Sequence, residues 1–296
     1  MSNVAQAVTV PAQLPSVGRL RTAGWVRLGR NRLGLVGAAI IVTVVVIAVA
    51  APIVAPYDPA SQAFRRLLAP SREHPMGTDE LGRDTLSRIV YGARVSLQVG
   101  CLAVVIGLVV GSCLGLLAGY HGGRLDDWTM RGVDIMFAFP GLILAIVIAG
   151  LLGPNKTNAM VAIGIVFAPP FARVVRGSVL GVMQEGYIEA ARVMGLPDLR
   201  TIVRYVLPNI TAAIIVMTTV YLSTAILTEA GLSYLGLGTQ PPEPSWGGML
   251  AAARNYMELS PWMAFFPGAA IMLVVLGFNF LGDGLRDVLD PRLRNV

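Results

Sequence analysis

Lysine is almost missing from this sequence: Lys156 is the only one among 296 residues. Charge of either sign is thin, at 14% of the chain, where soluble domains carry about 25%. With 55% hydrophobic residues and a mean hydropathy of +0.67, an ordinary soluble domain is excluded and a membrane protein is expected. Histidine and cysteine are reduced to two each. His74 and His121 are isolated, so a metal site built on them lacks ligands. Cys101 and Cys113 are too far apart for a C-x-x-C site and read as small buried hydrophobes. The net charge of +6 is nearly all arginine. No basic run forms a nucleic-acid patch, so this charge reads as membrane topology.

What the chain does have is long apolar runs, at 33–55, 97–119, 133–152, 159–175, 210–229 and 264–282. Backbone groups in lipid must be satisfied within their own segment, which makes each run a helix. The first run follows a basic stretch and contains Ala48-Val49-Ala50, as a cleavable signal does. It is longer than a signal core of roughly 7–15 residues. At about 1.5 Å per residue it is long enough to cross a hydrocarbon core of about 30 Å. The expected fold is therefore an all-α integral membrane protein with six transmembrane helices. With the N-terminus inside, fifteen of the 23 basic residues fall on the inner side, so both termini are expected in the cytoplasm.

The expected organisation is an N-terminal tail (1–32), amphipathic near its end where Trp25 and Leu28 sit among arginines, then a first helix (33–55). A long outer loop (56–96) leads into a five-helix core (97–283). This core holds an inner loop at 178–208 and an outer loop at 231–263, rich in Gly and Pro. A short tail (284–296) ends the chain.

No nucleophile–base pair, metal cluster or carboxylate pair stands out. "GLLGPNKT" (150–157) approaches a phosphate loop but has Asn155 where the second glycine belongs. If ATP is used, another chain is expected to bind it.

The most informative segment is "QEGYIEAARVMGLPDLRTIVRYVLPN" (184–209), a charged island between two apolar runs. Tyr187, Ala190, Ala191 and Met194 recur at helical spacing as one apolar face, with Glu185, Glu189 and Arg192 largely off it. Gly195 permits a left-handed turn and Pro197 cannot continue the helix. Asp198 then serves as an N-cap. Leu199, Ile202, Val203 and Val206 form a second apolar face, and Pro208 bends the chain into the fifth span. Such a hairpin lies on lipid or seats in a protein groove; the small Ala190-Ala191 pair favours the groove.

Two further sets are candidates. Thr218, Tyr221, Thr224 and Thr228 lie close to one face of the fifth span. They either line a translocation path or bond back to their own helix. Pro140, and Pro169 with Pro170, interrupt the backbone ladders of the third and fourth runs. Asp79, Glu80, Arg83 and Asp84 lie in the outer loop, either as a docking surface or as a self-satisfied elbow.

"EAARVMG" followed by "LP" resembles the cytoplasmic loop of ABC importer permeases, E-A-A-x3-G-x9-I-x-L-P. Glu189, Ala190, Ala191, Gly195, Leu207 and Pro208 match, with Tyr205 at the isoleucine position. "HPMGTDELGRDTLSRIVYGARVSL" (74–97), "MRGVDIMFAFPGLILAI", "GLSYLGLGTQPPEPSWGGML" (231–250) and "GDGLRDVLDPRLR" (282–294) resemble the C-type subunit of the dipeptide/oligopeptide/nickel group. The likeness runs over 31–294.

This resemblance implies a type I importer permease fold and a bacterial inner-membrane location. It implies a second, homologous permease subunit, two ATPase subunits or one fused ATPase, and an extracytoplasmic substrate-binding protein. ATP and Mg would be bound by the ATPases, leaving no cofactor in this chain. The inner loop would be a coupling helix seated in an ATPase groove. Peptides, glutathione and nickel chelates all suit the group. A stand-alone ion-coupled transporter or channel is the alternative. It calls for a charge at a span centre, and Asp134, Glu229 and Asp283 all lie near span ends.

Overall fold

The computed structural model describes residues 31–289. The expected tails, 1–30 and 290–296, lie outside the described residues, as do most of the amphipathic stretch at 17–32 and the end of the 282–294 motif. In chain order the helices are α1 (Arg32–Val49), α2 (Ala51–Val54), α3 (Thr85–His121), α4 (Gly123–Phe137), α5 (Gly141–Leu152), α6 (Lys156–Met183), α7 (Gly186–Val193), α8 (Asp198–Thr201), α9 (Leu207–Tyr234), α10 (Trp246–Ala253) and α11 (Trp262–Leu289). A π-helical turn, Ile202–Val206, joins α8 to α9. No strand occurs among the described residues, only a lone bridge between Thr78 and Asp84.

Five helical runs are long and apolar enough to cross a membrane: α1, α3, α6, α11, and α8 through α9 as one run. The sixth crossing exists only as a bent pair. The run at 133–152, expected as one helix, is divided between α4 and α5, which meet at 90°. Pro140 stands at the corner with extended backbone; it has no N–H to donate and disfavours helical geometry in the residue before it. The twelve residues of α5 reach about 18 Å at 1.5 Å per residue. Pro169 and Pro170, by contrast, leave α6 unbroken. The outer loop is also shorter than expected. The Asp84 carboxylate accepts the Ser87 N–H at 2.8 Å, capping α3 so that it starts at Thr85 rather than at 97.

The tightest packing joins α3 to α6, which run parallel. Gly107, Gly111, Gly115 and Gly119 repeat every four residues along one face of α3. A Cβ on Gly111 would stand 2.2 Å from the Ala168 carbonyl oxygen, and one on Gly115 2.3 Å from that of Ala172. Lipid supplies little hydrophobic drive for helix pairing, so close backbone approach and dispersion hold such pairs. Cys101 and Cys113 fall on the other side of α3 and are exposed, not buried as their type suggested, because the glycines occupy the packed face.

The right-angled α4 is tied to α6 by Asp126, which accepts from the Arg176 Nε and Nη2, and by Asp134 with Arg173. On the far side, α1 packs antiparallel to α11, with Gly37 against the Gly277 carbonyl. The described ends meet there, where the Asn31 amide donates to Asp287 at 2.8 Å.

Gly111→Leu is expected to prevent the α3–α6 approach at a cost of at least about 3 kcal/mol from overpacking against backbone. The purified variant should aggregate or melt early on detergent thermal unfolding. Gly150→Leu, at a position open to its surroundings, should leave the melting temperature unchanged.

Candidate functional site

The island at 184–209 folds as a hairpin on the same face as the described ends. α7 closes with paired end bonds: the Gly195 N–H donates to the Arg192 carbonyl at 2.9 Å and the Leu196 N–H to the Ala191 carbonyl at 3.1 Å. This ending needs a left-handed residue, and Gly195 sits at φ +71. α8 has no side-chain cap; its N-cap position is Pro197. Asp198, expected to cap, instead accepts the Tyr120 hydroxyl of α3 at 2.7 Å. Pro208 does not break the helical run, which continues from α8 through the π turn into α9. The π turn lies where the proline ring would meet the Arg204 carbonyl, and the wider turn accommodates the missing N–H.

The two apolar faces anticipated from spacing are each divided. Ile188, Ile202 and Val206 turn inward and pack with Tyr120 of α3, Val175 and Val179 of α6 and Ile210 of α9, and Ala191 is buried as well. Tyr187, Ala190 and Met194 stay outside, Met194 at 70% exposure. Val193, Leu199 and Val203 of the hairpin are exposed as well. Partial burial and, second, the nearby Glu185 carboxylate hold the Tyr187 phenol above its ordinary pKa. Glu189 is exposed and enters no ion pair among the described residues. Leu207 is half-buried and Pro208 exposed at the foot of α9. An apolar patch with an unpaired acid at its edge can dock another protein and transmit a push into α3, α6 and α9 together.

The threonine stripe behaves differently. Thr218, Thr224 and Thr228 donate to the carbonyls of Ile214, Val220 and Thr224 on their own helix. Tyr221 packs its ring on Phe167 and Phe171, with centroids 4.8 and 5.1 Å away. Thr224 remains exposed, and Thr218 and Tyr221 are half-exposed.

The outer elbow is closed on itself. Arg83 holds Asp79 at 2.6 Å and Glu80 at 3.0 Å, Arg88 lies 3.4 Å from Asp79, and His74 pairs with Asp84 at 2.9 Å. Asp79, Arg83 and Asp84 are buried. Those charges are paired within the elbow at the start of α3, and Glu80 alone of Asp79, Glu80, Arg83 and Asp84 is partly exposed.

One polar residue was not anticipated as a site. Glu229 is 0% exposed and accepts the hydroxyls of Ser96 on α3 (3.1 Å) and Ser233 on α9 (2.7 Å). Ser233 in turn accepts the Thr239 N–H, so one carboxylate fastens two helices and the loop after α9. The one legible signal is the Glu229–Ser233 spacing of four. The near phosphate loop lies between α5 and α6, where the Asn155 side chain caps α6 and Lys156 pairs with Glu243 at 2.8 Å. Among the described residues no group of three or more His, Cys, Asp or Glu is placed to hold a metal.

Residues 111–295 match the family of binding-protein-dependent transport system inner membrane components. The chain belongs to this permease family. Residues 20–70 match the N-terminal membrane domain of oligopeptide transport permease C. The permease is 48% identical over 91% of its length to the dipeptide transport system permease DppC of Alkalihalophilus pseudofirmus, covering 89% of that protein. It is 45% identical to the di/tripeptide permease DppC of Pseudomonas aeruginosa, with 92% of each chain covered. It is 44% identical to the glutathione permease GsiD of Pectobacterium atrosepticum, covering 92% and 91%. In fold it matches the inward-facing MetNI methionine ABC transporter, with a TM-score of 0.59 over 69% of this chain and 97% of that one, at 20% identity. It is a multi-pass inner-membrane permease.

Glu229→Leu should strand two buried hydroxyls and lower stability by about 1–3 kcal/mol. Glu229→Gln keeps a partner for each hydroxyl and should lose far less. Detergent melting curves of the two variants compare them directly.

Proposed function

We propose that this permease is one half of the translocation path of an ATP-driven importer of short peptides. The surface that carries this reading is the outward face of α7, bare and apolar, on a hairpin whose other face is locked into three spans. The arm beyond the turn, α8, continues without a break into α9, so force on the hairpin reaches a full-length helix directly. Two ATPase subunits, or one fused ATPase, seat this hairpin in a groove and bind the ATP and Mg. A second, homologous permease completes the path, and an extracytoplasmic binding protein delivers the substrate. The Asn31–Asp287 bond keeps the two described ends together on the hairpin's side, and the excess of arginine assigned to that side supports a cytoplasmic location for both termini.

ATP-driven closure shifts the inward–outward balance only through different affinities for the two states. A swing from 1:99 to 99:1 takes about 5.5 kcal/mol of differential binding, and the rigid hairpin delivers it. Glu189 meets a basic ATPase residue. Thr218, Tyr221, Thr224 and Thr228 border the path, presenting methyls and back-bonded hydroxyls that solvate a peptide without gripping it. The elbow of Asp79, Glu80, Arg83 and Asp84 supports the outer face as a brace. Relatives transporting dipeptides, tripeptides and glutathione favour peptides, glutathione being one of them.

Glu189→Lys is expected to cut binding-protein-stimulated ATPase and uptake in proteoliposomes by at least about tenfold, since reversing a desolvated interface charge costs several kcal/mol. Gly195→Val places a β-branched residue at φ +71, a strain of about 1–2 kcal/mol, and should uncouple in the same way; Gly195→Asn, which tolerates that conformation, should retain most activity. Full coupling in both Glu189→Lys and Gly195→Val would sink the proposal. Along the stripe, cysteines placed at Thr218 and Thr224 should be protected from thiol reagents during peptide turnover; unchanged labelling removes the stripe from the path.

A further inference from the structure

At the outer end of the bundle, α3, the start of α6 and the 242–244 loop line an open cleft of about 420 Å³. This lies within the roughly 300–1,000 Å³ range of small-molecule sites. Tyr91, Arg94 and Gln98 project from one face of α3 at spacings of three and four. The opposite wall carries the Lys156–Glu243 ion pair. Arg94 is exposed and makes no ion pair among the described residues. Its neighbours Arg83 and Arg88 are both taken up by the elbow. An unpaired guanidinium and a carboxylate that has only one cation on it therefore line the same cleft.

We propose that this cleft receives the two ends of a short peptide as it leaves the binding protein, with Arg94 taking the α-carboxylate and Glu243 the α-ammonium. The planar guanidinium fork matches a carboxylate with two parallel hydrogen bonds. Glu243 has lone pairs for a second ammonium beside Lys156. Pro59, Pro242 and Pro244 on the rim add stiff, side-chain-indifferent walls. Recognition of the termini alone suits a cargo whose side chains vary. The site rests on the importer reading above and adds to it the group that this chain reads on the cargo.

The test uses the complete transporter in proteoliposomes, with both permeases, the ATPases and the binding protein. The cargoes are dialanine and its C-terminal amide, with the binding protein loaded to saturation by each, as checked by equilibrium binding. Wild type should carry the free acid about tenfold faster than the amide, the worth of one charge-assisted pair. Arg94→Ala should bring the free acid down to the rate of the amide, and Arg94→Lys should restore part of the difference. The binding-protein concentration for half-maximal ATPase should not move. A free-acid preference that survives Arg94→Ala overturns the site. So does an equal rise in the half-maximal binding-protein concentration with both cargoes, which marks Arg94 as a binding-protein contact instead. In a background with Cys101 and Cys113 replaced by alanine, Gln98→Cys should be shielded from maleimide by dialanine; undiminished labelling also overturns the site. Glu189→Lys lowers both cargo rates and leaves their ratio, so a fault in the coupling reading shows separately from a fault here. A wild-type complex that moves neither cargo overturns both.

Discussion

The approach of α3 to α6 sets the geometry of everything else. Four glycines in register let backbone lie on backbone, with carbonyls where any side chain would collide. Because the two helices run parallel, the chain between them must return across the membrane. It does so economically, through one right-angled helix, α4, and one short helix, α5. α4 is pinned back to α6 by Asp126 and Asp134, and α5 is too short to span alone. The same seam carries α3 past the bundle, where Tyr120 meets Asp198 and holds the hairpin. Widening the seam by one methylene shifts the floor on which the hairpin stands.

Polar groups in this permease are spent on fastening. The elbow consumes Asp79, Arg83, Arg88 and Asp84 beneath the outer face. Glu229 consumes two serine hydroxyls between α3, α9 and the outer loop. In a low-dielectric interior an unmade bond is costly, so these groups stabilise one arrangement of outer segments against many. The hairpin follows the opposite economy, leaving Glu189 without an ion pair among the described residues and Tyr187, Ala190 and Met194 exposed.

Much of the fold was legible because lipid imposes a simple rule: long apolar runs must be helices. All-α architecture and the spans around 33, 97, 159, 210 and 264 followed from it, and the turn at Gly195 followed from glycine's left-handed freedom before Pro197. Pro140 and the Pro169–Pro170 pair looked alike in sequence, yet one ends a helix at a right angle and the other passes through an unbroken helix. Proline restricts its neighbours but does not decide whether surrounding packing holds the helix together. The apolar spacing at Tyr187, Ala190, Ala191 and Met194 marked a helix, but not which side another protein sees.

The sequence by itself determined the membrane class, the helical runs, the family motif at Glu189 to Pro208 and the place of the hairpin. These depend on local composition and spacing. Tertiary structure alone decided which glycines form the seam, which half of each island face is buried, that Asp198 ties to Tyr120, and that Asp79 and Arg83 face inward while Arg94 does not. Each depends on which helices become neighbours, and a periodicity along one strand of chain carries no record of what lies across from it.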